Sequence, residues 1–458
     1  MTNWKNTQVV IVGAGRQGIA LARYLSRCGA IVTLNDSRGV SQLSGARESL
    51  SDVSIKWVMG SHPLDLLDEA DLLAISGGVP LTLPLVKEAQ KRGIPLTNDS
   101  QIFMDTAPCR VIGITGSAGK TTTTTLVGRM AKAEFGAEKV WVGGNIGNPL
   151  IADVDKMKAD DLAIMELSSF QLEQMTTAPQ IAAVLNITPN HLDRHGTMDA
   201  YTAAKARIIE FQKPEDIAIL GREDKVAWGL AKNAPGQTMS FGVREILPPR
   251  VGTYLQDGEM LTLSDGASTR TLFSREKILL RGEHNLLNIL AACAIAHAAG
   301  ISPQSMQSAV ENFAGVEHRL EFVRQWQGAK WYNDSIATAP ERAIAALKSF
   351  DEPLVLLAGG RDKNLPWEKF AKLVQERVRH IILFGDAAAL IEASLGEAAK
   401  TSCKQTRCGG LKEAVQAAAQ IVEPGDVVLL SPGGTSFDEF RDFAERGEWF
   451  RKWVHELE

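Results

Sequence analysis

Short runs of aliphatic and β-branched residues alternate along the chain with stretches whose apolar positions recur at helical spacing. QVVIVG (8–13) reads as a buried strand, and Ile19, Ala20, Ala22 and Leu25 fall on one face of an expected helix over 16–27. Further strands are predicted at IVTLND (31–36) and LLAIS (72–76), then a helix over 83–92 that Gly93 ends. Strand–helix–strand order implies parallel pairing through right-handed crossovers.

The order restarts at RVIGITG (110–116), with strands expected at LAIME (162–166), AAVLNIT (182–188) and IAILG (217–221). From 236 to 282 short pieces broken by glycine and proline suggest a small antiparallel appendage. An apolar helix over 285–300 follows and stops at Gly300. A third unit begins near Gly315, with strands at KWYNDS (330–335), LVLLAGG (354–360), HIILFGD (380–386) and DVVLLSPGG (426–434). SFDE (436–439) has the pattern of a capping box and is expected to open the last helix. The fold class expected is α/β, as three consecutive domains over 1–107, 108–315 and 316–458: a Rossmann-like domain, a central phosphate-loop ATPase domain with a parallel sheet and the appendage, and a second Rossmann-like domain.

Composition alters this picture little. A chain of 458 residues suits about three domains. Its 45% hydrophobic and 22% charged residues are those of an ordinary globular protein, and a net charge of -5 leaves no footprint for nucleic acid or an anionic membrane. No apolar run is long enough to span a bilayer, and MTNWKNTQVV lacks the order of a secretory signal. Cysteines 28, 109, 293, 403 and 408 form no metal-ligand spacing, which fits unpaired thiols in a reducing cytoplasm. The expectation is a cytoplasmic protein.

The sharpest chemical signal is GITGSAGKTTT (113–123) between a strand and a helix. A triphosphate needs inward backbone N–H groups, glycines that admit it closely, a lysine for charge and a hydroxyl for Mg2+. Gly116, Gly119, Lys120 and Thr121 answer those needs, although the usual pattern wants glycine where Ile114 stands. The loop Gly13-Ala-Gly15-Arg-Gln-Gly18, with Asp36 closing the second strand, matches the dinucleotide fingerprint. It certifies only a phosphate at a helix N-terminus: a dinucleotide, another nucleotide diphosphate and a purely structural turn all remain open. Glu166 ends a strand beside the triphosphate loop, where a carboxylate can hold Mg2+. His191 follows a proline turn and faces the same crevice, Lys205 on its helix is bland taken alone, and Asp193 and His195 read as structural or exposed. Arg319, Asp334 and Lys363 sit at strand ends of the third unit, and Ser436 stands at the expected helix start, where a carboxylate could be received.

Taken together, GITGSAGKTT, GGNIGNP (143–149), ELSSFQLE (166–173), NITPNHLDRHG (186–196), AAKARI (203–208), GEHNLLN (282–288), EHRLE (317–321), YNDSIATAP (332–340) and LLSPGGTSFDEF (429–440) resemble the Mur ligase family over essentially the whole chain. ELSSFQL and the NDS-x-AT segment point to the branch that adds glutamate. The resemblance implies an ATP-dependent amide ligase of peptidoglycan precursor synthesis. Its substrates would be UDP-N-acetylmuramoyl-L-alanine, D-glutamate and ATP, and it would work through an acyl phosphate and a tetrahedral intermediate. It implies two Mg2+ ions, no NAD, no nucleic-acid or membrane partner, and a monomer.

Site roles carry over by the same resemblance. Gly116, Ser117, Ala118, Gly119, Lys120, Thr121, Thr122, Asn285, Arg319 and Asp334 would bind ATP, with Asn285 at the adenine, Arg319 at the γ-phosphate and Asp334 at the ribose. Gly15, Arg16, Gln17, Asp36, Ser37, Arg38, Ser76, Asn145 and His191 would hold the UDP-linked substrate in the first domain and beside it. Thr338, Lys363, Ser436 and Phe443 would take the glutamate. Lys120, Glu166, His191 and Lys205 would carry the chemistry; Thr121, Glu166, His191 and a carbamylated Lys205 would serve the metal.

Ile336 stands where the family commonly has lysine, and SPGGTS where it commonly has SPACAS, so L-glutamate stays open as the alternative amino acid. An NAD-dependent oxidoreductase would use the first loop but leaves the triphosphate loop unexplained. A folate-type polyglutamate ligase has no use for the GAGRQG domain, and a scaffold relative would bring a zinc-binding cysteine set that is not visible.

Overall fold

The computed structural model describes residues 3–246, 250–396 and 403–458. It contains three sheets, each mainly parallel. The first has five strands, β1 (Gln8–Val12), β2 (Ile31–Asp36), β3 (Ile55–Met59), β4 (Leu72–Ile75) and β5 (Leu96–Thr97), in the order β3-β2-β1-β4-β5. Every pairing in it is parallel. The order reverses between β1 and β4, and an open α/β sheet receives its ligands at that switch point, beyond the carboxyl ends of the strands.

The second sheet is built from β6 (Arg110–Thr115), β7 (Val140–Gly144), β8 (Leu162–Glu166), β9 (Ile181–Val184), β10 (Ile217–Gly221), β11 (Gln237–Phe241), β12 (Val251–Gln256), β13 (Met260–Asp265) and β14 (Thr269–Ser274). Its nine strands run β14-β13-β12-β11-β10-β9-β6-β8-β7. β6 lies between β9 and β8, and its pairing sets Ile114 opposite Glu166, which brings that carboxylate beside the loop leaving β6. The expected antiparallel appendage is continuous with this sheet. β11 pairs in parallel with β10 and belongs to the main sheet; only β12–β13 and β13–β14 are antiparallel, extending it. β9 also stops at Val184, short of the 182–188 expected, because the chain must turn there to grip the phosphate loop.

The third sheet takes β15 (Glu321–Trp326), β16 (Ala329–Asn333), β17 (Leu354–Gly359), β18 (Val378–Phe384), β19 (Lys404–Arg407) and β20 (Val427–Gly433) in the order β15-β16-β20-β17-β18-β19. Only β15 is antiparallel.

Contacts gather the chain into two compact units: Met1–Ile278 with Glu283–Phe313, and Leu279–Gly282 with Ala314–Glu458. Within the first unit, one apolar cluster runs from Val9, Leu25 and Phe103 through Ile151 and Met165 to Ile208, so the first two sheets share a continuous core. Polar bonds tie them further, with Asn98 Nδ2 donating to the Gln171 carbonyl at 2.7 Å and Gln171 Nε2 to Ser100 Oγ at 2.8 Å. In the second unit β16, β17, β18 and β20 bury Trp331, Leu357, Ile382 and Leu430 on one face and Tyr332, Leu356 and Leu383 on the other.

The last helix opens later than SFDE suggested. It spans Phe443–His455, and Asp442, not Ser436, is its cap, accepting from the Glu445 amide at 2.9 Å. Asp442-x-x-Glu445 is itself a capping pattern. The earlier one is pre-empted because Thr435 is bonded in both directions to Arg361, at 2.8 Å each way, which holds the chain extended up to Ser436. Asp442→Ala should therefore lower stability by about 1 kcal/mol through loss of the cap, read as a shifted urea midpoint at unchanged slope.

Candidate active site

The loop after β6 is stiff before any ligand is considered. Asn186 clasps Ala118 from both sides, its Oδ1 accepting from the Ala118 amide at 2.9 Å and its Nδ2 donating to the Ala118 carbonyl at 3.1 Å. Ser117 Oγ donates to the Thr188 carbonyl at 2.9 Å and meets the Tyr201 hydroxyl at 3.0 Å. Gly119 caps the helix Lys120–Phe135 at φ +85°, and a Cβ there would lie 2.1 Å from Asn288 Oδ1. The off-pattern Gly113 has a different cause: a Cβ on it would meet Pro179 at 2.6 Å, so it permits close packing inside the strand and takes no part in the cradle. Lys120 Nζ arches back over the loop to the Gly116 carbonyl at 2.8 Å. Thr121 and Thr122 follow in the first helical turn.

Lys205 is the most unusual group nearby. It sits on the helix Met198–Glu210 and is 1% exposed, so the solvated lysine its bland sequence context suggested is not what folds. Its Nζ reaches the Gly116 carbonyl at 3.0 Å and Thr115 Oγ1 at 3.3 Å, and lies 4.8 Å from the Tyr201 ring centre. Burial, reinforced by the charge of Lys120 and opposed by Glu166, pushes its amine down to about 7. Half of such an amine is neutral at pH 7, against roughly one part in 2,500 of an ordinary lysine.

Glu166, 1% exposed, receives Asn145 Nδ2 on Oε1 at 2.7 Å, while Oε2 is buried without a hydrogen-bond partner. A buried carboxylate oxygen left orphaned is costly in an apolar setting and is what a hard cation would satisfy. Among the described residues no three His, Cys, Asp or Glu side chains gather into a metal cluster. The donor set thus fits an ion that takes its remaining ligands from hydroxyls and phosphate oxygens, as Mg2+ does. His191 is exposed, in a left-handed turn at φ +52°, with its ring edge-on to Phe170 at 5.2 Å.

Two cavities flank this centre within the first unit. One, of about 380 Å³, is lined by Gly15, Arg16, Gln17, Asp36, Arg38, Ser76, Gly78, Val79 and, from the neighbouring sheet, Gly144, Asn145 and Gly147. Seven of the nine residues expected to hold the UDP-linked substrate line it; exposed Ser37 and His191 do not. Arg16 Nη1 bridges the two sheets by donating to the Gly147 carbonyl at 3.1 Å. The side-chain bonds from Arg38, with amide bonds from Arg38 and Ala14, hold the Asp36 carboxyl well below the usual carboxylate range. The second cavity, of about 350 Å³, opens beside Ala118 and Gly119 between Leu185, Asn186, Phe241, His284, Leu287 and Asn288. Asn285, expected at the adenine, is not on its wall; its Oδ1 accepts from Asn288 Nδ2 at 3.2 Å. Asn288 and His284 are the residues sequence reasoning passed over, although both lie in the same GEHNLLN segment.

In the second unit the loops after β16, β17 and β20 supply Thr338, Lys363 and Ser436, and the Arg361–Thr435 pairing joins the last two loops. Lys363 is exposed, Thr338 half-buried and Ser436 2% exposed. Ser436 is held in a turn, its carbonyl accepting from the Phe440 amide at 2.8 Å, so it offers no helix N-terminus. Phe443 begins the last helix, 36% exposed, and its carbonyl accepts from Ser335 Oγ at 2.8 Å. Asp334, 5% exposed, accepts from Ser431 Oγ at 2.8 Å and from the Leu320 amide at 3.2 Å, and burial pushes its carboxyl up to about 7. Arg319 lies in the turn just before β15, between His318 and Leu320, both at positive φ. The group missed here is Arg446. It is fully buried and braces Ser335 Oγ at 2.9 Å, the Ser335 carbonyl at 2.8 Å and the Gly434 carbonyl at 3.2 Å, clamping two of the three loops together. Burial lowers its guanidinium to about 10.

Comparison with known proteins matches three family models in succession: the MurD-like N-terminal domain of Mur ligases over residues 7–98, the Mur ligase middle domain over 114–296, and the Mur ligase glutamate ligase domain over 318–434. The UDP-N-acetylmuramoylalanine--D-glutamate ligase of Pelotomaculum thermopropionicum is 39% identical, the alignment covering 100% of this chain and 99% of that protein. The enzyme of the same name from Desulfitobacterium hafniense is also 39% identical, over 99% and 98%. Among solved structures, the UDP-N-acetylmuramate-alanine ligase of Thermotoga maritima shares the fold with a TM-score of 0.58 at 19% identity, covering 98% of this chain and 100% of that one.

Gly119→Ala should weaken binding of a non-hydrolysable ATP analogue by about tenfold or more, since left-handed strain of roughly 1–2 kcal/mol adds to the contact with Asn288. Isothermal calorimetry on a variant with unchanged circular dichroism measures it.

Proposed function

The chain belongs to the Mur ligase family, and from that premise we propose that it joins D-glutamate to UDP-N-acetylmuramoyl-L-alanine at the expense of ATP, releasing ADP and phosphate. The observation that carries this reading is the buried Lys205 amine beside Lys120 and the orphaned Glu166 oxygen, at the foot of the phosphate loop.

A carboxylate is a poor electrophile at neutral pH. In the proposed reaction a carboxylate oxygen of the alanyl group attacks the γ-phosphorus of ATP and ADP leaves, giving an acyl phosphate. The glutamate nitrogen then attacks the carbonyl carbon, phosphate departs, and the amine proton passes to solvent. Lys120 and the amides of Gly116 to Gly119 offset charge on the transferring phosphoryl group. Asn145 anchors Glu166 on one oxygen, leaving the other aimed for a cation.

Magnesium, when bound, would neutralise charge on the phosphates and polarise the reacting carboxylate. Thr121, Glu166, His191 and Lys205 are the residues proposed to hold it. Lys205 serves as an acid ligand only after modification: its neutral amine attacks CO2, loses a proton and becomes a carbamate. The first cavity, with Arg16 and Gln17 at the helix N-terminus, suits the diphosphate of the nucleotide-sugar. A nucleotide diphosphate satisfies that loop as a dinucleotide would, and no nicotinamide is required. Thr338, Lys363, Ser436 and Phe443 are proposed to take the glutamate, with Arg446 keeping their loops in register.

Three measurements test this reading. ADP release in the presence of UDP-N-acetylmuramoyl-L-alanine should rise with D-glutamate and not with L-glutamate; dependence on neither enantiomer would falsify the proposal. With 13C-bicarbonate, a carbamate resonance should grow as pH rises through about 7, because only the deprotonated Lys205 reacts; Lys205→Ala should abolish that resonance and lower kcat by at least a hundredfold. Arg446→Met should raise KM for glutamate about tenfold while leaving KM for ATP near its original value.

A further inference from the structure

One imidazole next to this centre has no part in the reaction described above. The His195 side chain is 1% exposed, with Nδ1 2.8 Å from Glu173 Oε1 and Nε2 2.9 Å from Ser169 Oγ. One face stacks on Phe170 at 5.3 Å and 4°, and Tyr201 tilts against it at 5.1 Å. The Glu173 carboxylate stands at ion-pair distance from Nδ1 but off the line of a ring N–H hydrogen bond, so it favours the proton on Nδ1 by charge alone, leaving Nε2 to accept the Ser169 hydroxyl. A core filler does not require partners on both nitrogens. This ring has a hydrogen bond at one nitrogen and a carboxylate at ion-pair distance from the other, both from one short stretch, 169–173, which begins three residues beyond Glu166.

His195 closes the short helix Leu192–His195, and the residue that opens it is His191, in the left-handed region at φ +52°. A non-glycine residue there is strained and persists only where its surroundings over-determine it. The surroundings do so through Phe170. His191 is edge-on to that ring at 5.2 Å, His195 lies flat on it, and the Arg194 guanidinium sits 4.0 Å from its centre. Arg194 also donates to the carbonyls of Gly78 and Val79, two residues that line the first cavity. On the far side, the Tyr201 hydroxyl touches Ser117 of the phosphate loop.

We propose that His195, held between Glu173 and Ser169, is a positioning residue that locks the strained 191–196 turn onto Phe170 and so fixes His191 between the first cavity and the phosphate loop. The kinetic consequence rests on the ligase reading; the packing and charges around the imidazole do not.

The test uses the full chain with His195→Ala, His195→Gln and Ser169→Ala. Glutamine keeps an acceptor for Ser169 that alanine lacks. In 15N-edited imidazole spectra of the ligand-free protein, His195 should carry its proton on Nδ1, and Ser169→Ala should shift its Nε2 resonance. In turnover, His195→Ala should lower kcat about 10- to 100-fold, the range seen when an outer-shell partner of a metal site is removed. KM for the nucleotide-sugar should stay within about threefold, and His195→Gln should recover most of kcat. An Nε2-protonated ring, an Ala variant with unchanged kcat, or Ala and Gln variants equally impaired alongside a lowered unfolding midpoint would each overturn the proposal. A wild-type chain that releases no ADP with these substrates overturns the ligase reading instead, and the imidazole spectra then decide the placing of His195 alone.

Discussion

Everything at the centre of this protein depends on bringing three charged groups together where water is scarce. The amines of Lys120 and Lys205 and the carboxylate of Glu166 crowd the loop that leaves β6, and two of the three are 1% exposed. Burial disfavours a charged amine there, and the neighbouring charge of Lys120 adds to that effect while Glu166 opposes it. The Lys205 amine is thereby pushed down to about 7. The fold meets the cost through the register of β6 against β8, the Asn186 clasp and the Ser117–Thr188–Tyr201 bonds, which leave the loop little room to relax. A preorganised site of this kind does not have to reorient its dipoles when phosphate charge develops.

The same rigidity extends into the first sheet. The shared core, the Asn98 and Ser100 bonds to Gln171 and the Arg16 bridge to Gly147 make the first cavity and the phosphate loop parts of one compact unit. The first cavity and the phosphate loop therefore sit on a scaffold that is already assembled, and a scaffold of that kind is where enzymes gain most from orientation. The second unit organises its loops differently, around one buried arginine and not around a shared apolar core.

How far this was legible in sequence depended on whether the governing signal was local. Gly116 to Thr121, the first loop and most strands were readable because strand period and glycine spacing lie within a dozen residues. β3, β5, β7 and β19 were not singled out: the Val140–Gly144 strand ends in a glycine pair that reads as a turn, and the two-residue β5 has no period at all. The mistaken helix start at Ser436 arose from two capping patterns six residues apart, decided by a pairing with Arg361 far earlier in the chain. Arg446 could not be told from any other arginine, since Ser335 lies 111 residues away. Lys205 looked ordinary alone, and only the family resemblance marked it; its burial is a tertiary fact. Gly113 carries the opposite lesson: it stands within the phosphate segment, yet the close approach of Pro179 is what requires it.

The Asp36–Arg38 clasp in the first cavity has a bearing on acid tolerance. That carboxyl is held well below the ordinary range, so the pair keeps its charges through any mild acidification. Lys205, poised near neutrality, does not. On mild acidification the Asp36–Arg38 pair keeps its charges while Lys205 takes up a proton. Acid would then bear on the Lys205 end of this unit and leave the Asp36–Arg38 end unchanged. The two halves of one rigid unit would fail at different pH values because their buried charges are balanced in opposite ways.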